Sequence, residues 1–169
     1  MTIKHAASEN STTEIFNIGP DAIQPNGVDL RLKKVFKILP NVFEIDAENN
    51  KKHRGVEEIL PDEDGFWFLE PGEYEVTCME TVKVGQDEMG LIVTRSSINR
   101  NSCYLFSCVF DSGYSGECAM RFQVNVAPIK IQRGTRIAQY VTYAAESAHQ
   151  YHGSYGFGTA DDAKYGTGA

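Results

Sequence analysis

From Val28 onward the chain alternates apolar and polar positions. Val28, Leu30 and Leu32 fall on one side of an extended backbone, with Asp29 and Arg31 on the other. That two-residue period is the period of a strand with one buried face, and Pro25, Asn26 and Gly27 supply the turn in front of it. The run "FWFLEPGEYEVTCMETVKV" contains two more β-rich stretches separated by a Pro-Gly turn. "MGLIVTRSS", "CYLFSCVFD", "CAMRFQVNV" and "IKIQRGTRIAQYVTY" add others, bounded by Gly, Ser or Pro. The pattern predicts about eight short strands, with a helical turn or two only over residues 144–149, and so an all-β sandwich or barrel-like domain.

Both ends depart from this pattern. Residues 1–13 are polar, rich in Ser, Thr and Asn, and read as a mobile arm. The stretch "DAENNKKHRGVEEILPDEDG" is charged and reads as an exposed excursion. The tail "GSYGFGTADDAKYGTGA" is glycine-rich, a composition that favours mobility. Tyr155, Phe157 and Tyr165 are costly to leave in water, which suggests a tail that orders over a ligand. The expected organisation is an arm over 1–20, a β domain over 21–150 and a tail over 151–169.

Length and charge narrow the partners. A chain of 169 residues suits one domain with a real core. Its net charge of −7 argues against broad nucleic-acid binding, though not against a small anion held by local arginines. No apolar run approaches the ~20 residues of a membrane span, and the first residues have no signal-peptide core, so a cytoplasmic protein is expected. The four cysteines form no Cys-x-x-Cys pair and the four histidines are scattered, which argues for reduced thiols and against a zinc site.

Four segments carry candidate chemistry. In "TRSSINR", Arg95 and Arg100 supply forked, permanently charged donors, while Ser96 and Ser97 supply hydroxyls and turn amides. These suit an oxyanion, although many turns share the composition. In "VFDSGYSGE", Asp111 either caps its own backbone or holds a water for attack on phosphorus or a carbonyl. Tyr114 fits either a sugar face or ordinary hairpin packing. In "IQRGTRIAQYV", alternation places Arg136 with Ala138 on one face and Ile137 with Gln139 on the other, where Gln139 needs a polar partner. In "PNGVDLRL", Asp29 and Arg31 share a face, as a cross-strand ion pair or as part of a site.

Taken in order, these segments resemble the dUTPase / dCTP deaminase superfamily: "PNGVDLRL" its first motif, "TRSSINR" its second, "FDSGYSGE" its third, "RGTRIAQ" its fourth and "GSYGFGT" its glycine-rich fifth. The resemblance implies a distorted jelly-roll, a β-clip-like sandwich. It also implies a homotrimer with active sites at subunit interfaces, each tail closing a neighbour's site. By position, Asp111 matches the acid that orients the attacking water and Tyr114 the tyrosine on the deoxyribose. Arg95, Ser96 and Gln139 match phosphate-binding positions, Asp29 a supporting acid and Phe157 the tail aromatic that stacks on the base. Ser97, Arg100, Arg136 and Lys164 complete the candidate substrate-binding set. Mg²⁺ is expected as cofactor, bound through triphosphate oxygens rather than by protein ligands.

The superfamily runs two reactions. "EPGEYEV", "RSSINR" and the ending "DDAKYGTG", with Lys164 and Tyr165, resemble the deaminases. Those enzymes place a glutamate acid/base ten residues after the third-motif aspartate, where this chain has Arg121. A guanidinium cannot shuttle protons near neutrality, and Glu117 lies four residues earlier, ~13 Å along a strand. Hydrolysis of dUTP, or of a close analogue, to the monophosphate and diphosphate is therefore expected. A dCTP deaminase, a bifunctional enzyme, and a non-catalytic relative using the acidic 46–64 loop are the alternatives. His152 replaces an arginine common at the start of the fifth motif, and Leu105 an asparagine common six residues before the third-motif aspartate.

Overall fold

A computed structural model describes residues 2–159 and is almost entirely β. The strands are β1 (Ile3–Lys4), β2 (Glu14–Phe16), β3 (Ile23–Gln24), β4 (Gly27–Ile38), β5 (Glu44–Ile45), β6 (Lys51–Lys52) and β7 (Val56–Ile59). They continue as β8 (Phe66–Leu69), β9 (Gly72–Lys83), β10 (Glu88–Thr94), β11 (Cys103–Phe106), β12 (Ser115–Val124), β13 (Ile129–Gln132) and β14 (Arg136–Ala144). A single helical turn, α1 (Ser96–Asn99), separates β10 from β11.

All strand pairs are antiparallel, and the main sheet runs β1-β14-β4-β9-β12-β11. Strand β4 joins two layers: Val28 to Arg31 pair with β14, whereas Leu32 to Lys37 pair with β9. The changeover carries irregular register on both partners, between Leu32 and Lys34 and between Arg136 and Ala138. Such bulges bend a strand and let it turn a corner between layers. The alternating apolar residues Leu30, Leu32 and Val35 then meet Val76, Cys78, Phe122, Ile137 and Tyr140 in one core. The curled, nearly all-β architecture is the one expected.

Two expectations about local structure change. Residues 144–149 form no helix; β14 runs to Ala144, and the helical turn lies instead at "SSIN". The polar start is also not an unattached arm. Strand β1 pairs with β14 and β2 with β9, and Glu88 holds the segment between them. Its carboxylate, fully buried on β10, accepts hydrogen bonds from Lys4 Nζ, Ser11 Oγ, Thr13 Oγ1 and the Thr12 and Thr13 amides at 2.6–3.1 Å. Cys78, Cys103 and Cys118 are buried and all four thiols are free. Burial pushes the Cys78, Cys103 and Cys118 thiols up, away from the reactive thiolate. No helix among the described residues is long and apolar enough to cross a membrane.

Candidate active site

The first, second and fourth motifs meet on the β4–β14–β10 layer. Gln139 faces Asp29 across β14 and β4, and Val93 on β10 faces Gln139. The Asp29 carboxylate, 1% exposed, lies 3.2 Å from Arg95 Nε and 3.4 Å from Arg136 Nη1. Gln139 Nε2 donates to its other oxygen at 3.5 Å. Asp29 Oδ2 has no aligned hydrogen bond in addition to these ion pairs. Arg95 also donates through Nη1 to the Arg136 carbonyl at 3.2 Å, so Asp29 acts as a strut that aims two guanidinium groups.

Here simple alternation fails. It predicts Arg136 and Gln139 on opposite faces, yet both reach Asp29. The bulge between Arg136 and Ala138 inserts an extra residue, burying Ile137 and Ala138 in succession and returning Arg136 and Gln139 to the same side. Arg31 does not pair with Asp29 either. It belongs to the buried Glu80, which accepts from Arg31 Nε at 2.6 Å and from the Arg31 amide at 2.7 Å. Ser96 and Ser97 are exposed in the first half of α1, and Arg100 is exposed at its C-terminal end.

The third motif builds a different place. Phe110 bridges Gly90, and a turn closed by the Tyr114 amide on the Asp111 carbonyl follows, with Gly113 at φ 83°. The Asp111 carboxylate is exposed and makes no hydrogen bond among the described residues, so it does not cap its own turn. Ser112, which sequence reasoning passed over, is buried and donates to the Glu88 carbonyl at 2.5 Å, anchoring the turn from behind. Asp111 and Tyr114 border a cavity of about 400 Å³ that also includes Phe106, Glu75, Glu117 and Arg121.

Charge inside this cavity is largely committed. Arg121 Nε pairs with Glu73 at 3.1 Å, and its guanidinium lies 4.2 Å above the Phe106 ring. Glu117 pairs with Lys33 at 2.5 Å. Glu75 stands directly across from Arg121 on β9, a cavity carboxylate not singled out from the sequence. Tyr114 donates its hydroxyl to the Glu117 carbonyl at 3.0 Å and meets Phe110 and Tyr151 edge-on. Leu105 is buried, with its backbone held by Thr94 Oγ1 at 2.9 Å and 3.3 Å, so its side chain packs in the core.

The tail folds back onto its own chain. The Tyr151 amide donates to the Ser112 carbonyl at 2.7 Å and the Phe157 amide to the Ser115 carbonyl at 2.9 Å. Gly156 packs so closely on Gly116 that a Cβ there would lie 2.9 Å from its Cα. Tyr151, Tyr155 and Gly156 thus form part of the cavity wall, while the Phe157 ring is half exposed. The resemblance implied closure of a neighbour's site; in the single chain, residues 151–157 cover the chain's own Asp111 cavity. His149 and His152 stack at 6.2 Å beside a second cavity that shares Asp111 and Tyr151. Lys164 and Tyr165 lie outside the described residues.

The site therefore comes in two parts. Neither cavity includes Asp29, Arg95, Ser96, Arg136 or Gln139. Phe110, next to Asp111, bridges Gly90 on β10, and Arg95 follows Gly90 by five residues, ~17 Å at strand spacing.

Comparison with known proteins places this all-β chain in a family. The model of the dCTP deaminase-like family matches residues 1–145, and the chain belongs to that family. A relative from Halobacterium salinarum, named probable deoxyuridine 5′-triphosphate nucleotidohydrolase, is 34% identical over 141 residues, covering 82% of this chain and 85% of that protein. A dUMP-forming dCTP deaminase from Persephonella marina is 32% identical over 139 residues, covering 79% and 77%. The crystal structure of the 2′-deoxycytidine 5′-triphosphate deaminase from Agrobacterium tumefaciens superposes with a TM-score of 0.60 at 20% identity, over 79% of this chain and 44% of that one, and shares the fold. The protein is an enzyme of the dUTPase/dCTP deaminase group.

Proposed function

We propose that the protein hydrolyses dUTP, or a close deoxyuridine triphosphate analogue, to the monophosphate and diphosphate. The observation that carries this reading is Arg121. It occupies the cavity wall ten residues after Asp111, where proton relay to a pyrimidine needs a titratable acid, and it is tied to Glu73 and Phe106. Asp111, exposed at the cavity edge and without a hydrogen bond among the described residues, orients the water that attacks the α-phosphate and accepts its proton. Arg95 and Arg136, with Gln139 and the Ser96 and Ser97 hydroxyls, bind phosphate oxygens, and Asp29 fixes their aim. Tyr114 packs on the sugar, and Phe157 on the base.

The two parts are too far apart along one chain to act on one α-phosphate, which supports a homotrimer in which a neighbour's arginine cluster faces each Asp111 cavity. Static light scattering is expected to give three times the chain mass; a monomer at micromolar concentration would overturn the shared site. Among the described residues no group of three His, Cys, Asp or Glu is placed to hold a metal. The exposed, hard oxygen donor of Asp111, faced in the proposed trimer by a neighbour's arginine cluster, fits Mg²⁺ carried on the substrate phosphates. There the ion would neutralise charge developing on the phosphate oxygens.

The test is incubation with Mg²⁺ and each deoxynucleoside triphosphate, following diphosphate and ammonia separately. Diphosphate from dUTP without ammonia from dCTP is expected. One observation favours a second reading: Glu75, opposite Arg121, is a carboxylate in the same cavity. If Glu75 relays protons in dCTP deamination, the wild type releases ammonia and Glu75→Gln stops it. On the hydrolase reading, Glu75→Gln changes kcat for dUTP by less than about threefold, because a cross-strand partner near the base touches no reacting oxygen.

A further inference from the structure

The hairpin β5–β6 lies between β4 and β7, at the start of the charged excursion and outside all five motifs. It is a formed element. Asp46 accepts from the Asn50 amide and Nδ2 at 2.8 Å each, and Lys52 pairs with Glu44 at 2.9 Å. Its far end meets the tail. Lys51 Nζ donates to Ser154 Oγ at 2.9 Å and lies 4.7 Å from the centre of the Tyr155 ring. His53 meets the same ring edge-on at 6.0 Å and is itself stacked on Phe43 at 5.7 Å. Tyr155 and the adjacent Gly156 are wall residues of the Asp111 cavity.

We propose that the β5–β6 hairpin is a latch that places residues 151–157 over the Asp111 cavity before substrate arrives, with Lys51 as the positioning residue. Gly153 and Gly156 make this segment expensive to order. A protein whose binding-competent state is only partly populated loses apparent affinity in proportion. Lys51 offsets that loss by holding Ser154 and Tyr155 together, one residue before the close approach of Gly156 to Gly116. Lys51 acts through the tail and touches no reacting group.

Hydrogen exchange of the ligand-free protein tests the latch without reference to any reaction. In Lys51→Met the Tyr151 and Phe157 amides are expected to exchange at least about fivefold faster, while Lys51→Arg, which keeps charge and donors, stays close to wild type. Unchanged exchange in Lys51→Met would overturn the proposal. The kinetic arm rests on the hydrolase reading: Lys51→Met raises KM for dUTP about fivefold with kcat within about twofold, and Lys51→Arg restores KM. A fall in KM would also overturn it, because the hairpin would then be holding the cavity shut against substrate. Failure to turn over any nucleotide sinks the hydrolase reading instead, and the exchange comparison still decides the latch.

Discussion

Asp111→Asn is expected to lower kcat for dUTP hydrolysis by about three orders of magnitude, with the melting temperature unchanged. The size follows from losing the group that, in the proposed mechanism, accepts the proton of the attacking water. The unchanged stability follows from the structure. The turn is held by the Tyr114 amide, the Ser112 hydroxyl and the Phe110–Gly90 bridge, none of which uses the Asp111 carboxylate. The same variant tests where the second half of the site resides. Arg95→Ala removes one of the guanidinium groups beside Asp29 and leaves Arg136 there. Each variant alone is expected to be nearly inactive. On the proposed homotrimer, co-expression in equal amounts gives mixed trimers in which about a quarter of interfaces join an intact Asp111 from one protomer to an intact Arg95 from its neighbour. Recovery of about a quarter of wild-type activity is therefore expected. No recovery would place both residues in one chain's site and contradict the ~17 Å separation along β10.

The legible part of the molecule is the part set by local pattern. The alternation of β4 located its buried face, and the cross-strand ion pair open to Asp29 forms with Arg95 and Arg136. Arg95 of "TRSSINR" and Arg136 of "RGTRIAQ" gathered around that acid, because antiparallel pairing of β10, β14 and β4 puts their ends side by side, whereas Arg100 stays exposed. What the pattern missed depends on geometry that sequence period does not carry. One bulge at the β14–β4 corner brought Arg136 and Gln139, predicted on opposite faces, to the same side. Glu75 was invisible because "EPGEYEV" alternates acids in the manner of a solvent-facing strand, yet curvature of the sheet turns this one into a cavity. The opening residues read as unattached because their partner, Glu88, is more than 70 positions away. A run of Ser and Thr ahead of a strand looks mobile until a buried carboxylate requires those hydroxyls.

That carboxylate carries the second large expectation. Burial alone would raise the Glu88 carboxyl, but hydrogen bonds from Thr13, Ser11, Lys4 and Thr12 outweigh it and bring the group down to about 2, from an ordinary 4.5. A carboxyl lowered on folding stabilises the protein above its unfolded-state value and ceases to do so as pH falls through its folded value. The contribution is complete above about pH 5 and is lost progressively toward pH 2, amounting to about 3 kcal/mol. Glu88→Gln removes the charge that five donors share and leaves the buried Thr13 hydroxyl and the amides less well satisfied. At neutral pH and fixed protein concentration it is expected to lower the melting temperature by about 8 °C, and to flatten its decline between pH 5 and pH 2 relative to wild type. Activity per folded molecule should persist, because Ser112 anchors the Asp111 turn on the Glu88 backbone carbonyl, which glutamine retains. A variant as stable as wild type, with the same acid profile, would show that the arm is held by strand pairing of β1 and β2 alone.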